Sequence, residues 1–368
     1  MNATMRRVVV ATAAVTMAVS LAACGSAKEA GDNKDKGDNK KKTGPLTIGL
    51  LLPEDQTARY EAMDHPLIEK EIKAGCADCK VVYANAKSDT SVQQQQVDSM
   101  ITKKVDVIIL DSVDSKAISS SVKKADEAGI PVVAYDRLAE GPVSAYTSFD
   151  NETVGKVQGE ALLKALGSKA KSGKVVMLNG WEADPNAALF KKGALSVLQG
   201  KVDIGKTYDI DRWLADEANK QMTGAINSLG KDKIIGVYSA NDTMAGGAIA
   251  ALKAGGVDPL PPVTGQDAEL AGVQRVLAGT QYMSVYKPYG QEAAAAAKMA
   301  LALGRGEKVP AEATADSPTK KGIPATLIPP VSMTKDNIKD TVIKDGLYKA
   351  SDVCTAKYKA ACDQLGIK

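Results

Sequence analysis

The sequence predicts an α/β protein of two doubly wound lobes joined by a hinge. Three observations carry this. Short apolar runs alternate with amphipathic stretches over residues 46–135. The same alternation restarts at residue 174. In both halves aspartates stand just past the third and fourth apolar runs: Asp111 and Asp136, then Asp242 and Asp267, 25 residues apart each time. Buried parallel strands read as short continuous apolar runs, and their crossovers read as helices covering both faces.

The elements follow in order. Leu46–Leu52 (LTIGLLL) is a buried strand, and a helical stretch runs from the loop after it to about Lys73. Lys80–Tyr83 is a strand, Ser91–Lys103 a helix, Val105–Leu110 a strand, Lys116–Ala128 a helix and Pro131–Tyr135 a strand. In the second half the strands are Lys174–Leu178, Lys201–Tyr208, Ile234–Tyr238 and Pro262–Thr264. Between and after them lie helices Asn186–Leu198, Asp216–Leu229, Thr243–Ala254 and Ala268–Ala278. A strand-like Tyr282–Tyr286, an Ala-rich helix Pro288–Leu303, a strand within IPATLIPPVSM and a short polar tail complete the chain. These last elements recross between the lobes. The expected division is 45–150 plus about 286–310 for one lobe, and 151–285 plus about 311–368 for the other.

The N-terminal residues read differently. Arg6 and Arg7 precede an apolar stretch that ends at Leu21-Ala22-Ala23-Cys24, the layout of a secretory leader over residues 1–23. The stretch is too short and small-sided for a good membrane span. Leu-Ala-Ala-Cys also resembles the bacterial lipobox, which makes Cys24 a lipidation candidate. Residues 24–44 hold no aliphatic side chain larger than alanine and many charges, so they read as a disordered spacer. Four cysteines remain, an even number in an exported chain. Cys76 with Cys79, and Cys354 with Cys362, read as two local disulfides. The alternatives for Cys76 and Cys79 are a redox Cys-x-x-Cys or half a zinc site, and the zinc reading lacks a second half-site, with His65 the single histidine.

Charge excludes little and demands little. The chain has 47 Lys and Arg against 44 Asp and Glu, and loss of Arg6 and Arg7 with the leader leaves 45 against 44. Nothing there calls for nucleic acid or an anionic membrane as partner. Gly200–Thr207 matches GxxxxGK[ST], but KVDIGKTYDI alternates like a strand and no helix opens at Lys206, so the match is accidental. Ala245-Gly246-Gly247 lies inside an early helix turn and serves close packing. GxSxG and HExxH are absent, and His65 reads as a surface or packing residue.

The polar clusters at strand ends are richer. Asp136-Arg137, Asn186, Asn241-Asp242, Asp267 and Lys287 all fall where open α/β sheets bind ligands. For Asp111 and Asp242, helix capping and ligand binding both stay open. Asp136-Arg137 opens no helix, so capping does not explain it. Carboxylate, guanidinium and amide groups form paired hydrogen bonds, the pattern a vicinal diol presents. Tyr60, Trp181 and Trp213 stand beside these clusters and offer apolar faces. The constellation reads as a carbohydrate cleft.

The stretches AYDRL, TSFDNETVGKVQGEAL, DPNAALFKKGALSVL, SANDTMAGGAIAAL, GQDAELAGVQRVLAGTQYMSVYKP and TVIKDGLYK resemble the periplasmic D-xylose-binding proteins, a family of sugar receptors of ABC importers. The resemblance runs from about Leu46 to Lys349. It implies the type I periplasmic binding protein fold, with two Rossmann-like lobes, three crossings and one monosaccharide between them. It needs no catalytic residue, cofactor or metal. Its implied partners are a permease and the membrane through a lipid only, and its implied state is a monomer. Carried over, Arg59, Tyr60, Asp136, Arg137, Asn186, Trp213, Asn241, Asp267 and Lys287 would touch sugar, with Tyr60 as a stacking aromatic. Two departures stand out. The first loop, LLPEDQTARYEAMD, is one residue longer than the xylose pattern and looks partly like the multi-sugar relatives. The four extra cysteines, with the lipobox, suggest a Gram-positive cell-surface version. A sugar-responsive transcription regulator would need a DNA-binding helix pair where the spacer stands. An exported carbohydrate-active enzyme would use Asp136 and Asp267 as acid and base. The nearer rival is the same fold with arabinose, glucose or galactose. Arg137→Ala is expected to abolish binding and leave the fold intact.

Overall fold

The computed structural model describes residues 42–367. The leader, Cys24 and the spacer up to Lys41 lie outside the described residues. The first half runs β1 (Thr47–Leu52), α1 (His65–Gly75), β2 (Lys80–Asn85), α2 (Thr90–Thr102), β3 (Val107–Leu110), α3 (Ser119–Glu127), β4 (Val132–Tyr135) and β5 (Ala145–Phe149). These strands pair in parallel in the order β2-β1-β3-β4-β5. Alternate residues feed two separate cores. Ile48, Leu50, Ile109 and Tyr135 pack on one face with α1, while Leu51, Ile108, Leu110 and Ala134 pack on the other. This two-sided burial is why the strands read as unbroken apolar runs.

The second half repeats the plan. It runs α4 (Asn151–Leu166), β6 (Lys174–Asn179), α5 (Pro185–Leu198), β7 (Asp203–Asp209), α6 (Ala215–Leu229), β8 (Ile234–Ser239), α7 (Asp242–Ala254), α8 (Leu270–Leu277) and β9 (Met283–Tyr286). The order is β7-β6-β8, continued by single bridges from Val237 to Val263 and from Gln266 to Val285. The expected strand Pro262–Thr264 is thus reduced to one bridge, since two prolines at 261 and 262 remove ladder donors. The pseudo-phosphate-loop stretch ends inside β7, with Lys206 on the strand.

The tail crosses back twice. α9 (Tyr289–Gly304) packs on α1 and the first sheet. β10 (Ala313–Ala315) and β11 (Ile323–Ile328) then extend that sheet, β11 lying parallel to β5 with Tyr146–Phe149 opposite Ala325–Ile328. This corrects the expectation that residues from about 311 onward belong to the second lobe. The open edge of β5 needs a partner, and Ile323 and Ala325 join the core on the face of Leu51 and Ile108. Only β12 (Val331–Thr334), antiparallel to β9, and the C-terminal residues return to the second lobe.

The chain therefore passes between lobes at Asp150, at Lys287-Pro288 and at Pro329-Pro330. The first and third passages touch, because the Asp150 amide donates to the Ile328 carbonyl at 3.0 Å. The C-terminal segment, with α10 (Ala350–Val353) and α11 (Lys359–Leu365), forms a satellite core on α8 and β9. Both expected disulfides are present, Cys76–Cys79 with Cα atoms 5.3 Å apart and Cys354–Cys362 at 5.9 Å. Among the described residues, no helix is long and apolar enough to cross a membrane.

Candidate functional site

The carboxyl ends of both sheets face one another. Between them lies a small cavity. All nine residues singled out above line it: Arg59, Tyr60, Asp136, Arg137, Asn186, Trp213, Asn241, Asp267 and Lys287. Thr57, Asp184, Phe190 and Gln266 line it too and were not singled out. The sequence signals for two of them are visible afterwards. Asp184 precedes Pro185 as a helix N-cap, and Phe190 lies one helical turn beyond Asn186, on the same face.

Two aspartates hold corresponding places. Asp136 follows β4 with φ +54°, and Asp267 follows the Val263 bridge with φ +85°. Left-handed backbone at a non-glycine residue is strained, so neighbours must impose it. The Asp136 amide donates to Thr147 O at 2.9 Å. Its carbonyl accepts from Ser148 Oγ at 2.7 Å, Tyr146 Oη at 3.1 Å and Asn186 Nδ2 at 3.1 Å. The Asp267 amide donates to Val285 O at 3.0 Å, and its carbonyl accepts from Tyr289 Oη at 2.8 Å. Both carboxylates are thereby turned toward basic partners. Arg59 Nη1 lies 3.4 Å from Asp136, and Lys287 Nζ lies 3.1 Å from Asp267. Burial pushes the Asp136 carboxyl up, but Arg59, Lys287 and Arg137 outweigh it and hold it below its ordinary value.

Arg59 stands in the loop before a wide helical turn, Tyr60–Asp64, that leads into α1. Its fork donates to both oxygens of Asp64, at 2.7 and 3.0 Å, and to Glu292 at 3.1 Å. The guanidinium also lies over Tyr289 at 4.6 Å and Tyr60 at 5.1 Å. Most of its donors are spent on the protein, so it is a fixed charge more than a free hand. Arg137 donates to Tyr60 Oη at 3.0 Å and to Ser112 O at 3.2 Å. Its Nε lies 2.9 Å from Asp184 Oδ2 and 3.7 Å from Asp111 Oδ1. Asp111 does not cap a helix. Its side chain is fully buried behind Arg137, burial raises its carboxyl well above the usual range, and Arg137 opposes that rise.

The second lobe supplies helix starts and aromatics. Asp184 caps α5 by accepting the Asn186 amide at 2.9 Å, and Asn241 caps α7 by accepting the Met244 amide at 2.9 Å. Asn241 thus both caps and lines the cavity. Trp213 is the second of two consecutive left-handed residues, with φ +49° at Arg212 and +60° at its own position. Its ring lies flat on Gly180, where a β-carbon would stand 1.9 Å from Cη2. Phe190 meets it edge-on at 6.3 Å, and Lys287 lies over Phe190 at 5.2 Å. Trp181, by contrast, packs against the core of the second lobe and does not line the cavity.

Asp242 is likewise structural. It is fully buried off the cavity, and its carboxylate accepts from Gln281 Nε2 at 2.6 Å, Ser284 Oγ at 2.8 Å and the Glu269 amide at 3.0 Å. Gly265 and Gly272 make room for it; a β-carbon on either would lie about 2 Å from it, at 1.9 and 2.0 Å. His65 stacks on Tyr83 at 3.6 Å, in keeping with a packing residue.

Several buried cavity groups have no hydrogen-bond partner among the described residues. Gln266 Oε1 and Trp213 Nε1 have none, and Asp136 Oδ1 and Asp267 Oδ1 have only their ion pairs. Buried polar atoms in folded proteins are nearly always satisfied, so unsatisfied ones that converge on a cavity point to a hydrogen-bonding guest.

Comparisons with known proteins show the family and the fold. Residues 48–308 match the periplasmic binding protein domain model. The chain is 38% identical to the D-xylose-binding periplasmic protein of Escherichia coli over 83% of its length and 92% of that protein's. It is 32% identical to a multiple sugar-binding periplasmic protein of Azospirillum brasilense, over 82% of this chain and 89% of the other. Among solved structures it is similar to an ABC transporter solute-binding protein from Clostridium phytofermentans with bound β-D-glucose. That likeness has a TM-score of 0.78 and 29% identity, over 83% of this chain and 99% of that one.

Proposed function

This chain belongs to the periplasmic binding protein family, and from that premise we propose that it captures a monosaccharide, D-xylose foremost, by closing its lobes and passes it to the permease of an ABC importer. The family binds solutes for transport and is not a family of enzymes. One observation carries the reading. Paired acceptors and donors from both lobes converge on one small cavity with aromatic walls, and several of them are buried without partners. A pentose meets that pattern with hydroxyls on its edges and C–H faces for Tyr60, Phe190 and Trp213. Sugar bridging the lobes would shift them toward the closed form. A site matched to hydroxyls rejects a sugar that lacks one, because a buried partner stays unpaired.

A broader specificity has its own support. Relatives of the chain include the multiple sugar-binding protein and the glucose-bound structure named above, and the resemblance itself implies a first loop, with Tyr60, one residue longer than the xylose pattern. We further infer export and lipid anchoring at Cys24, on the strength of Leu21-Ala22-Ala23-Cys24 and the charged spacer.

The test is a thermal-shift panel on residues 45–368 with D-xylose, L-arabinose, D-ribose, D-glucose and D-galactose. A ligand that binds only the folded state raises the melting temperature. A shift with xylose alone is expected. Shifts with xylose and a hexose would mean the altered first loop broadens the site. No shift with any sugar would overturn the ligand and leave the fold standing.

A further inference from the structure

Closing a cleft between two lobes can be driven by ligand alone or helped by direct contacts between the lobes. Three direct contacts fall on one four-residue segment, Ala183–Asn186. The Ser115 amide, on the loop after β3, donates to Ala183 O at 3.3 Å. Arg137, at the end of β4, places Nε 2.9 Å from Asp184 Oδ2. Asn186 Nδ2 donates to the Asp136 carbonyl at 3.1 Å. In each pair one partner belongs to the first sheet's loops and the other to the start of α5.

The ion pair is the strongest of the three. Arg137 is 1% exposed and Asp184 4%. The Arg137 N–H is not aligned on the carboxylate, so the contact is a close charge pair and not a hydrogen bond. Both Asp184 oxygens are engaged by protein, Oδ1 by the Asn186 amide and Oδ2 by Arg137. Arg137 in turn is tied to the Ser112 carbonyl, and Ser112 Oγ meets Ser115 Oγ at 2.8 Å. The contacts therefore form one connected patch across the cleft.

We propose that Asp184 is a latch that crosses the cleft to Arg137 and makes closure partly self-sustaining, so that it sets how long a bound molecule is retained. Opening the cleft strips each charge of its main partner and hydrates both. A buried pair repays only part of its desolvation, so the latch biases closure and does not lock it. Its effect falls on release: breaking one partner of a buried charge pair changes the off-rate, while the encounter with ligand goes through the open form. Asp184 is thus a positioning residue. It acts on Arg137 and on the lobe equilibrium.

The proposal rests on reading the cleft as a closing binding site, and its test separates the two. Asp184→Asn keeps an N-cap acceptor for α5 and removes the charge. Hydrogen exchange of the full-length, sugar-free protein is expected to speed up by about 5-fold at residues 112–118 as well as at 182–186, because local opening sets amide protection. Residues 112–118 lie across the cleft from α5, so a weakened helix start alone would not move them. D-Xylose dissociation, followed by tryptophan fluorescence in stopped flow, is expected to rise about 10-fold with association unchanged. Equal exchange at 112–118 in wild type and variant overturns the latch. So does a lower melting temperature with slower association, which would mark a purely structural role. If the wild type binds no sugar, the exchange result still decides the latch, and only the ligand reading fails.

Discussion

Arg137 is among the largest fully buried side chains of the molecule, and it sits between Asp184, Asp111 and the hydroxyl of Tyr60. From its sequence position, Arg137→Ala should cost binding and nothing else. Its burial revises that expectation. Removing the guanidinium leaves two buried carboxylates without their counter-charge, a loss on the order of 3 kcal/mol. Arg137→Ala is therefore expected to lose measurable sugar binding by calorimetry and also to melt earlier; an unchanged melting curve would contradict the buried pair. A second carboxylate prediction concerns Glu269. Burial pushes it up to about 8, with the Asp242 charge adding and Thr243 and Arg275 opposing. A raised carboxyl favours folding below its unfolded value, near 4.5, and that contribution is lost as pH rises through about 8. Glu269→Gln should raise the melting temperature at pH 9 and change it little at pH 4, as read by calorimetry across that range.

At the scale of elements, the contact between α4 and α5 decides how the cleft is built. A β-carbon on Gly155 would stand 1.9 Å from Phe190 O, and one on Gly193 would stand 2.0 Å from Glu152 O. The helices approach backbone to backbone, and α5 delivers Asp184, Asn186 and Phe190 to the cavity. Gly247 does the same for α7 against Ala215 O at 2.1 Å, as the Ala-Gly-Gly stretch suggested. Gly155→Ala is expected to cost about 1–3 kcal/mol by overpacking, measured in a denaturant melt, and to weaken sugar binding through α5. An unperturbed melt would mean the helices can slide apart. This contact also explains what the sequence hid. β5 and α4 carry no strong periodic signal: β5 buries Thr147 and Ser148, and α4 buries Gly155, Gln158 and Gly159. Their buried faces mix these polar and small residues with core members such as Phe149, Val154 and Leu162, so the apolar period is interrupted. The apolar strands β1, β3, β4, β6 and β8 were legible because both their faces are covered. The nine residues proposed for the site were placed together on one cavity because strand ends and long matching stretches located them. Asp184 was not, since a helix cap and a charge across a cleft look alike in sequence.

At the scale of the whole molecule, two copies of one strand order are joined by three passages, with the C-terminal satellite core pinned by Cys354–Cys362. Tethering would hold this body near a permease while its lobes stay free to close. If Cys24 carries the lipid, Cys24→Ala should move the protein from the membrane fraction to the culture medium, seen by immunoblot; retention in the membrane would remove the anchor. The repeated strand order was legible as a repeated alternation of residue types, and the return of β11 to the first sheet was not, because nothing local in IPATLI names its neighbour. That return has a consequence for how the protein is made. The ribosome delivers β5 long before the strand that covers its edge, and α1 long before α9. Until residue 304 has emerged the first lobe lacks a helix of its core, and until residue 328 it lacks a sheet edge. A nascent chain therefore cannot complete its first lobe until nearly all of the second has been made, so the two lobes reach their finished cores late and close together in time.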